Sequence, residues 1–262
     1  MKRELKRAFL SPYFLCSFGL LFLCFQGYPI PSWFATLWLE PEFRESAFQL
    51  SIGPIFFGSV MLIMPFCASV SHAFSQVEEI QSSMMHWRVL RSSVKRYASV
   101  KIIASALSAA CSTSLAFIVN AVMWNLIAIP VDPIRYPSHE IGWGETCLYR
   151  KWYLIAHGLP VYAQIAIGIA FSAAIWAVVT LAVAAWIPDR LLAVSVPASI
   201  YYLWHLQLPR ILFGVDIPHP GTLYNDALTI ESALECIAVY AVVFLISLLV
   251  YWAGLRRRAC HV

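Results

Sequence analysis

Long apolar stretches alternate with short polar ones along the whole chain, and each is of a length that can cross about 30 Å of hydrocarbon. Backbone groups in lipid must form their hydrogen bonds within the segment, and these runs lack the alternation of barrel strands, so the pattern predicts helices. The predicted spans cover residues 9–27, 52–74, 102–129, 156–187, 191–207 and 232–255. The predicted fold class is an all-α integral membrane protein, a single transmembrane domain with about six transmembrane helices.

Two features at the ends of the predicted spans need interpretation. Basic residues within 2–7 precede the first span, as in a signal peptide, but no small-residue cleavage pattern follows and the chain continues into Pro29 and Pro31. We therefore interpret the first run as an uncleaved span. The fourth run is longer than one crossing needs, and Gly158 with Pro160 predicts a short interfacial helix that bends into the span.

Composition and charge strengthen this picture and add an orientation. Hydrophobic residues make up 60% of the 262 residues and charged ones 12%, and the mean hydropathy is +0.71, which excludes an ordinary soluble domain. Of the 18 Lys and Arg residues, thirteen fall on the side of the two termini and of residues 75–101, and five on the other side. The positive-inside rule then predicts that both termini and the 75–101 loop are cytoplasmic.

The chain lacks the motifs of common catalytic sites. No phosphate-binding Gly-x-x-x-x-Gly-Lys-Ser/Thr loop and no Gly-x-Ser-x-Gly elbow is present, which predicts a non-enzyme that cannot hydrolyse ATP alone. The Glu78-Glu79 pair resembles an element of intramembrane proteases, but Ser83 stands where those have Arg and the histidine pairs are missing. His157 and His205 have no second histidine at a suitable spacing, and no Cys-x-x-Cys occurs. We expect no bound cofactor and no metal site.

The predicted spans contain few polar groups. Asn120 and Gln164 lie within them, and Glu235 lies about one turn into the last span, where it can extend to the interface. Ion-coupled carriers usually keep ionisable groups in the membrane, so this scarcity argues against one. Whether these three residues contact a substrate stays open.

The polar loop between the second and third spans contains an amphipathic pattern. If residues 77–91 form one helix, apolar side chains at three- and four-residue spacing form a ridge that can dock into a groove on a partner. The ridge consists of Ile80, Met84, Trp87 and Arg91, widened by Met85, Val89 and Leu90. In the alternative interpretation, the basic residues of the loop contact anionic lipid headgroups.

Glu78 and Glu79 in the segment 74–101 are followed by Arg91, Tyr97 and Lys101. With this order the segment resembles the first cytoplasmic loop of ABC-2 type transporter permeases. In that family an acidic residue after the second span is followed by an amphipathic coupling helix, then by an Arg, a Tyr and a Lys that lead into the third span. Glu78 or Glu79, Arg91, Tyr97 and Lys101 stand in this order here. Residues 1–14 resemble the family's amphipathic N-terminal elbow helix. The family often has Gly soon after the acidic residue, where residues 81–83 read Gln-Ser-Ser.

This resemblance implies a permease subunit of an ABC exporter in a bacterial cell membrane. Its implied partners are separate cytoplasmic ATPase subunits that bind the ATP, and a second permease copy or homologue; no nucleic acid partner is expected. The coupling helix implied to meet the ATPase comprises Glu78, Glu79, Ile80, Met84, Trp87, Arg88 and Arg91.

The substrate expected by resemblance is an antimicrobial peptide, a lipid or a drug. The alternative is a membrane scaffold or immunity protein that binds partners through the same loop without transport. For the permease, Glu79→Lys or Trp87→Asp is predicted to uncouple ATP hydrolysis from transport at normal abundance.

Overall fold

All regular structure in the described part of the chain is helical, as the apolar runs predict. The structure is a computed structural model, and it describes residues 2–27, 47–56, 60–72, 74–128, 159–214, 217–224 and 230–260. The α-helices of these ranges are α1 (Lys2–Phe9), α2 (Pro12–Gly27), α3 (Ala47–Phe56), α4 (Val60–His72), α5 (Phe74–Gln81), α6 (Met84–Ser92), α7 (Val94–Ile127), α8 (Leu159–Trp186), α9 (Arg190–His205), α10 (Leu208–Phe213) and α11 (Ile230–Cys260). A 3-10 turn, Pro220–Tyr224, precedes α11.

Four helical segments are long and apolar enough to cross a membrane. They are Arg3–Gly27, Val94–Ile127, Val161–Trp186 and Glu231–Ala259. Helices α4 and α5 qualify jointly as a fifth, with a bend of 42° between them. The all-α membrane fold class is therefore confirmed, and the described helices supply four or five spans by length and composition.

The predicted fifth span differs from the expectation of a full crossing. Helix α9 has 16 residues, or about 24 Å at 1.5 Å per residue, which is less than the ~30 Å of a hydrocarbon core. It begins at an N-cap where the Asp189 carboxylate accepts a hydrogen bond from the Leu192 amide at 3.0 Å. It ends before Gln207, whose left-handed φ of 56° separates α9 from α10.

The predicted polar loop 75–101 is largely helical. Helix α7 begins at Val94, eight residues before the predicted start of the third span, and its 34 residues measure about 51 Å. This exceeds a hydrocarbon core by about 20 Å, so the polar first turns can extend beyond it. Tyr97 and Lys101 accordingly lie on a helix that continues into the span.

The single helix predicted over residues 77–91 is wrong, because the chain breaks into α5 and α6. Ser83 adopts a left-handed conformation with φ of 58°, and the Ser82 hydroxyl donates to the Glu78 carbonyl oxygen at 2.6 Å. Serine competes for backbone hydrogen bonds and so favours helix ends. The break changes which side chains share a face.

Helix α8 lies at the centre of the bundle. Its apolar window is 72% buried, whereas that of α11 is 17% buried, and α8 packs against α4, α7, α9 and α11. Pro160 stands in its first turn, where the missing amide costs no hydrogen bond. Residues 156–158 of the predicted span lie outside the described residues.

Hydrogen bonds between helices join the bundle inside its apolar core. The Ser17 and Ser112 hydroxyls are 3.1 Å apart and join α2 to α7. The Ser69 hydroxyl and Thr180 Oγ1 are 2.7 Å apart and join α4 to α8. Small polar side chains let helices approach closely and bond to each other in an apolar environment.

At one end of the bundle, the last helix caps the central one. Arg258 on α11 donates from Nε to the Ala185 carbonyl oxygen at 2.6 Å and from Nη2 to the Trp186 carbonyl oxygen at 3.1 Å. The final carbonyls of a helix have no partner within it, and a guanidinium satisfies them while complementing the helix dipole. Arg258, in the basic run that follows the last apolar stretch, thus has a structural role.

Candidate functional site

A buried ion pair between Glu79 on α5 and Lys101 on α7 is the centre of the site. Lys101 Nζ lies 2.6 Å from Glu79 Oε1, and both side chains are 1% exposed. Lys101 also donates to the Ser75 hydroxyl at 2.8 Å. Two charges are removed from water here, and such burial is tolerated only when geometry and additional hydrogen bonds compensate for the lost hydration.

Three more charged residues complete an ion cluster, which we define as Glu4, Arg7, Glu79, Arg88 and Lys101. Arg7 on α1 and Arg88 on α6 approach the same oxygen, Glu79 Oε1, at 2.7 Å and 3.0 Å. Arg88 also pairs with Glu4, whose Oε2 lies 3.8 Å from Lys101 Nζ. The ion cluster therefore joins α1, α5, α6 and α7 through one carboxylate.

Tyrosines on two other helices complete the polar surroundings of α5. The Tyr97 hydroxyl lies 2.8 Å from Glu79 Oε2 and 3.0 Å from Gln76 Oε1. The Tyr251 hydroxyl of α11 also approaches Gln76 Oε1, at 3.4 Å. Val77, on the same short helix, is fully buried against α8 and α9. Helix α5 is thus in contact with most of the bundle through eight residues.

The neighbouring carboxylate, Glu78, forms an ion pair that is weaker and more exposed than that of Glu79. Tyr13 donates to Glu78 Oε1 at 2.6 Å, and Arg190 Nη2 lies 3.1 Å from the same oxygen. The Arg190 side chain is 52% exposed, so water screens this pair and its contribution to stability is small. The Gln81 amide, at the end of α5, donates to the Pro188 carbonyl oxygen at 2.8 Å.

The residues predicted to form the ATPase contact separate into two groups. Glu79 faces into the protein, Glu78 is partly buried against its partners, and Ile80 is partly buried. Arg88 is engaged by the ion cluster. Glu79, Arg88 and Ile80 help to hold α6 against the bundle, whereas Glu78 contacts Tyr13 and Arg190, so these four positions do not form an open apolar ridge.

The second group remains open to a partner. Trp87 is 66% exposed and Met84 is also exposed, as is Arg91. Leu90, which was not in the predicted contact, is 72% exposed beside them. We call Met84, Trp87, Leu90 and Arg91 the exposed face of α6. On the opposite side, Met85 is buried in an apolar cluster with residues of α7, α8 and α11.

The burial of Glu79 changes the expected abundance of the Glu79→Lys variant. Glu79→Lys would place a second ammonium group beside the buried Lys101 and remove the carboxylate that three cations share. An uncompensated buried charge is strongly destabilising. We no longer expect normal abundance for this variant, whereas Trp87→Asp changes an exposed side chain.

The sequence interpretation missed two members of the ion cluster, Glu4 and Arg7. Both are in the short N-terminal helix, which was interpreted only as amphipathic. Residues 72 positions apart meet in the Arg7–Glu79 pair, and nothing in the local pattern of either helix encodes that distance. Arg190, the partner of Glu78, was counted only as a basic residue near a turn.

A histidine pair at another place in the bundle was also not predicted. The His205 and His219 rings have centroids 4.6 Å apart, and the Gly221 amide donates to His219 Nδ1 at 3.0 Å. Burial, together with the neighbouring His205, lowers the pKa of His219, so its ring is neutral at neutral pH. Among the described residues, no group of three or more His, Cys, Asp or Glu could hold a metal ion. His157 lies outside the described residues.

The polar residues predicted within the spans have different environments. Asn120 is fully buried; its Oδ1 accepts from Gln26 at 2.8 Å, and its Nδ2 donates to the Ser51 carbonyl oxygen at 3.3 Å. Gln164 is partly buried and Glu235 is exposed. The Asn120 amide therefore serves helix packing.

The fold and the site define a helical membrane protein with a cluster of charges that joins four helices at one end. Comparisons of the chain with protein-family models, with curated proteins and with solved structures find no match in any of the three.

Proposed function

We propose that the chain is the permease subunit of an ABC-2 type exporter, driven by separate cytoplasmic ATPase subunits. The observation that carries the proposal is the arrangement of α6. One side is an exposed apolar face with Trp87 at its centre, and the other side is fastened to the bundle by Met85 and by the ion pairs of Arg88. A helix of this kind can bind a partner subunit on its exposed side and transmit the movement of that subunit to the helical bundle.

The ion cluster gives the movement a physical route. Arg88 of α6 and Lys101 of α7 meet at the same Glu79 oxygen, so a displacement of α6 pulls on the first turns of α7. Helix α7 continues for 34 residues into the apolar bundle. Arg7 adds α1, and through it α2, to the same carboxylate. In the proposal, ATP-driven closure of the ATPase reaches two spans through this cluster.

The remaining parts of the proposal complete the permease. Helix α1 serves as the elbow helix, both termini are cytoplasmic, and α9 with α10 contributes to a six-span plan. The outward apolar side of α11, which is little buried, is available to lipid or to a second permease copy. The proposed substrate is an antimicrobial peptide, a lipid or a drug. The chain itself binds no nucleotide in this mechanism.

Purification of the tagged full chain from its native membrane, with identification of the proteins that accompany it, tests the proposal. An ABC ATPase in roughly equal amount is the expected result, and retention of that ATPase should not require added nucleotide. Recovery of the chain without any ATPase would contradict the proposal and favour the alternative of a scaffold or immunity protein.

A pair of variants locates the contact. Trp87→Asp places a charge at the centre of the exposed face of α6, and loss of a central Trp contact typically weakens an interface by about 2 kcal/mol or more, roughly thirtyfold. Ile187→Asp is the matched control, because Ile187 is an exposed apolar residue next to Pro188, which α5 contacts. The ATPase should be lost from the first variant and retained by the second. Retention by both would remove α6 from the contact.

A further inference from the structure

A cleft opens between α1, α6 and α7 beside the ion cluster. Its volume is about 820 Å³. We call it the basic cleft, because six cationic side chains line it together with one carboxylate, that of Glu4. The six are Arg3, Arg7, Arg88, Arg91, Arg96 and Lys101.

The charges of the basic cleft are not balanced within the described residues. The three cations that belong to the ion cluster share its two carboxylates. Arg3, Arg91 and Arg96 are exposed and form no ion pair with any residue that the structure describes. Three guanidinium groups without a counter-charge, facing one cleft, favour an anionic ligand, and the planar guanidinium matches the geometry of a phosphate group.

The position of the basic cleft identifies the level at which its ligand lies. Arg3 begins the candidate span Arg3–Gly27, and Arg96 lies in the first turn of the candidate span Val94–Ile127. Both therefore lie in polar turns beyond the hydrocarbon core, on the side where a bilayer places its headgroups. The exposed Trp87 and Met84 also line the cleft. Tryptophan is enriched at this level of a membrane, and both side chains can contact the apolar part of a lipid.

From these observations we propose that the basic cleft is a binding site for the phosphate headgroup of an anionic phospholipid. The unpaired arginines bind the phosphate, and Trp87 with Met84 contacts the glycerol and the upper acyl chain. A lipid is favoured over an acidic segment of a protein because the cleft lies at the ends of two candidate spans and combines cations with apolar side chains. The site shares Met84, Trp87 and Arg91 with the exposed face of α6, so the lipid and the ATPase are expected to compete for that face. The tests below use the purified chain without the ATPase, so their outcome does not depend on that partner.

Two double variants of the full chain test the site. Arg3→Gln/Arg96→Gln removes two unpaired cations from the basic cleft. Lys6→Gln/Lys95→Gln is the control, because it removes the same charge from the same two helices at exposed positions that do not line the cleft. Each protein is purified in detergent, and binding of phosphatidylglycerol and of phosphatidylcholine is measured by native mass spectrometry.

The expected result is a selective loss. The unmodified chain should bind phosphatidylglycerol more tightly than phosphatidylcholine, and the cleft variant should bind phosphatidylglycerol about tenfold more weakly, since each cation near an anionic lipid contributes to binding. The control should stay within about twofold of the unmodified chain. Equal losses in both double variants would indicate diffuse surface charge and overturn the site, as would no loss in the cleft variant.

Competition separates the possible sources of the anion. Bound phosphatidylglycerol should resist an excess of inorganic phosphate and of a polyglutamate peptide. Displacement by inorganic phosphate would assign the cleft to a free phosphate, and displacement by the peptide would assign it to an acidic protein segment; either result overturns the lipid proposal.

A measurement on the unmodified chain does not depend on the folding of any variant. A photoreactive phosphatidylglycerol is cross-linked to the protein, and the labelled peptides are identified by mass spectrometry. Labels are expected within residues 3–7 or 84–101, which carry the lining of the basic cleft. Labels found only elsewhere on the chain would contradict the site.

Discussion

Replacing Glu79 by Gln removes the carboxylate that three cations share and keeps the size of the side chain. The exposures of the partners decide how much stability is lost. Arg7 and Arg88 are 39% and 33% exposed, so water can solvate them, and each pair contributes at most about 1 kcal/mol. Lys101 is 1% exposed and cannot be solvated without a change in the fold.

The buried ammonium group of Lys101, left without Glu79, therefore accounts for most of the expected loss of stability. After the substitution its nearest remaining carboxylate oxygen is Glu4 Oε2, at 3.8 Å. Removal of one partner of a buried pair costs about 3–5 kcal/mol, and the residual attraction of Glu4 favours the lower end. At about 2–4 °C per kcal/mol for a chain of this size, the melting temperature should fall by about 6–12 °C.

Thermal unfolding of the purified chain in detergent, followed by size-exclusion chromatography of heated samples, measures this loss. Glu78→Gln is the matched control, because it makes the same change one residue away where Arg190 is half exposed. It should lower the melting temperature by less than about 3 °C. Glu79→Gln/Lys101→Met should recover part of the stability, since no buried charge remains. Equal shifts for the two glutamates, or no recovery in the double variant, would refute the reasoning.

Two further substitutions examine backbone strain and helix packing, again through melting temperature. Ser83→Gly should raise it by about 1–3 °C, because Ser83 has φ of 58° and makes no side-chain capping bond; Ser82→Gly, at a position without positive φ, should not raise it. Gly254→Ala should lower it by about 2–6 °C, because the new Cβ would lie 2.9 Å from Ala185 Cβ on α8. Gly19→Ala, with nothing within 4 Å of the new Cβ, should leave it unchanged or slightly higher. The opposite order in either pair would contradict the assigned cause.

Much of the fold could be predicted because lipid imposes simple rules on a chain. A long apolar run with few charges must satisfy its own backbone hydrogen bonds, so the positions of α2, α7, α8 and α11 follow from hydropathy. The first and last residues of the helices are predicted less well by hydropathy. Val94 begins a helix well before the apolar run, because polar residues can extend a helix beyond the membrane, and hydropathy does not mark that boundary.

The candidate site could be predicted only in part. The spacing of Met84, Trp87 and Arg91 indicated a shared face, and the first two are exposed on α6 with Leu90. The same spacing includes Ile80 only if residues 77–91 form one helix. The left-handed Ser83 breaks that helix, so the residues before it belong to a separate helix, α5.

The sequence by itself determined that the chain is helical, apolar and basic in one polar region, because composition and periodicity act locally along the chain. Only the tertiary structure decided which of those charges are used inside the protein. Glu79 and Lys101 lie 22 positions apart and meet at 2.6 Å, because the packing of α5 against α7 sets that distance. The same packing leaves Arg3, Arg91 and Arg96 without a partner among the described residues, and their shared cleft arises from three helices that no single pattern connects.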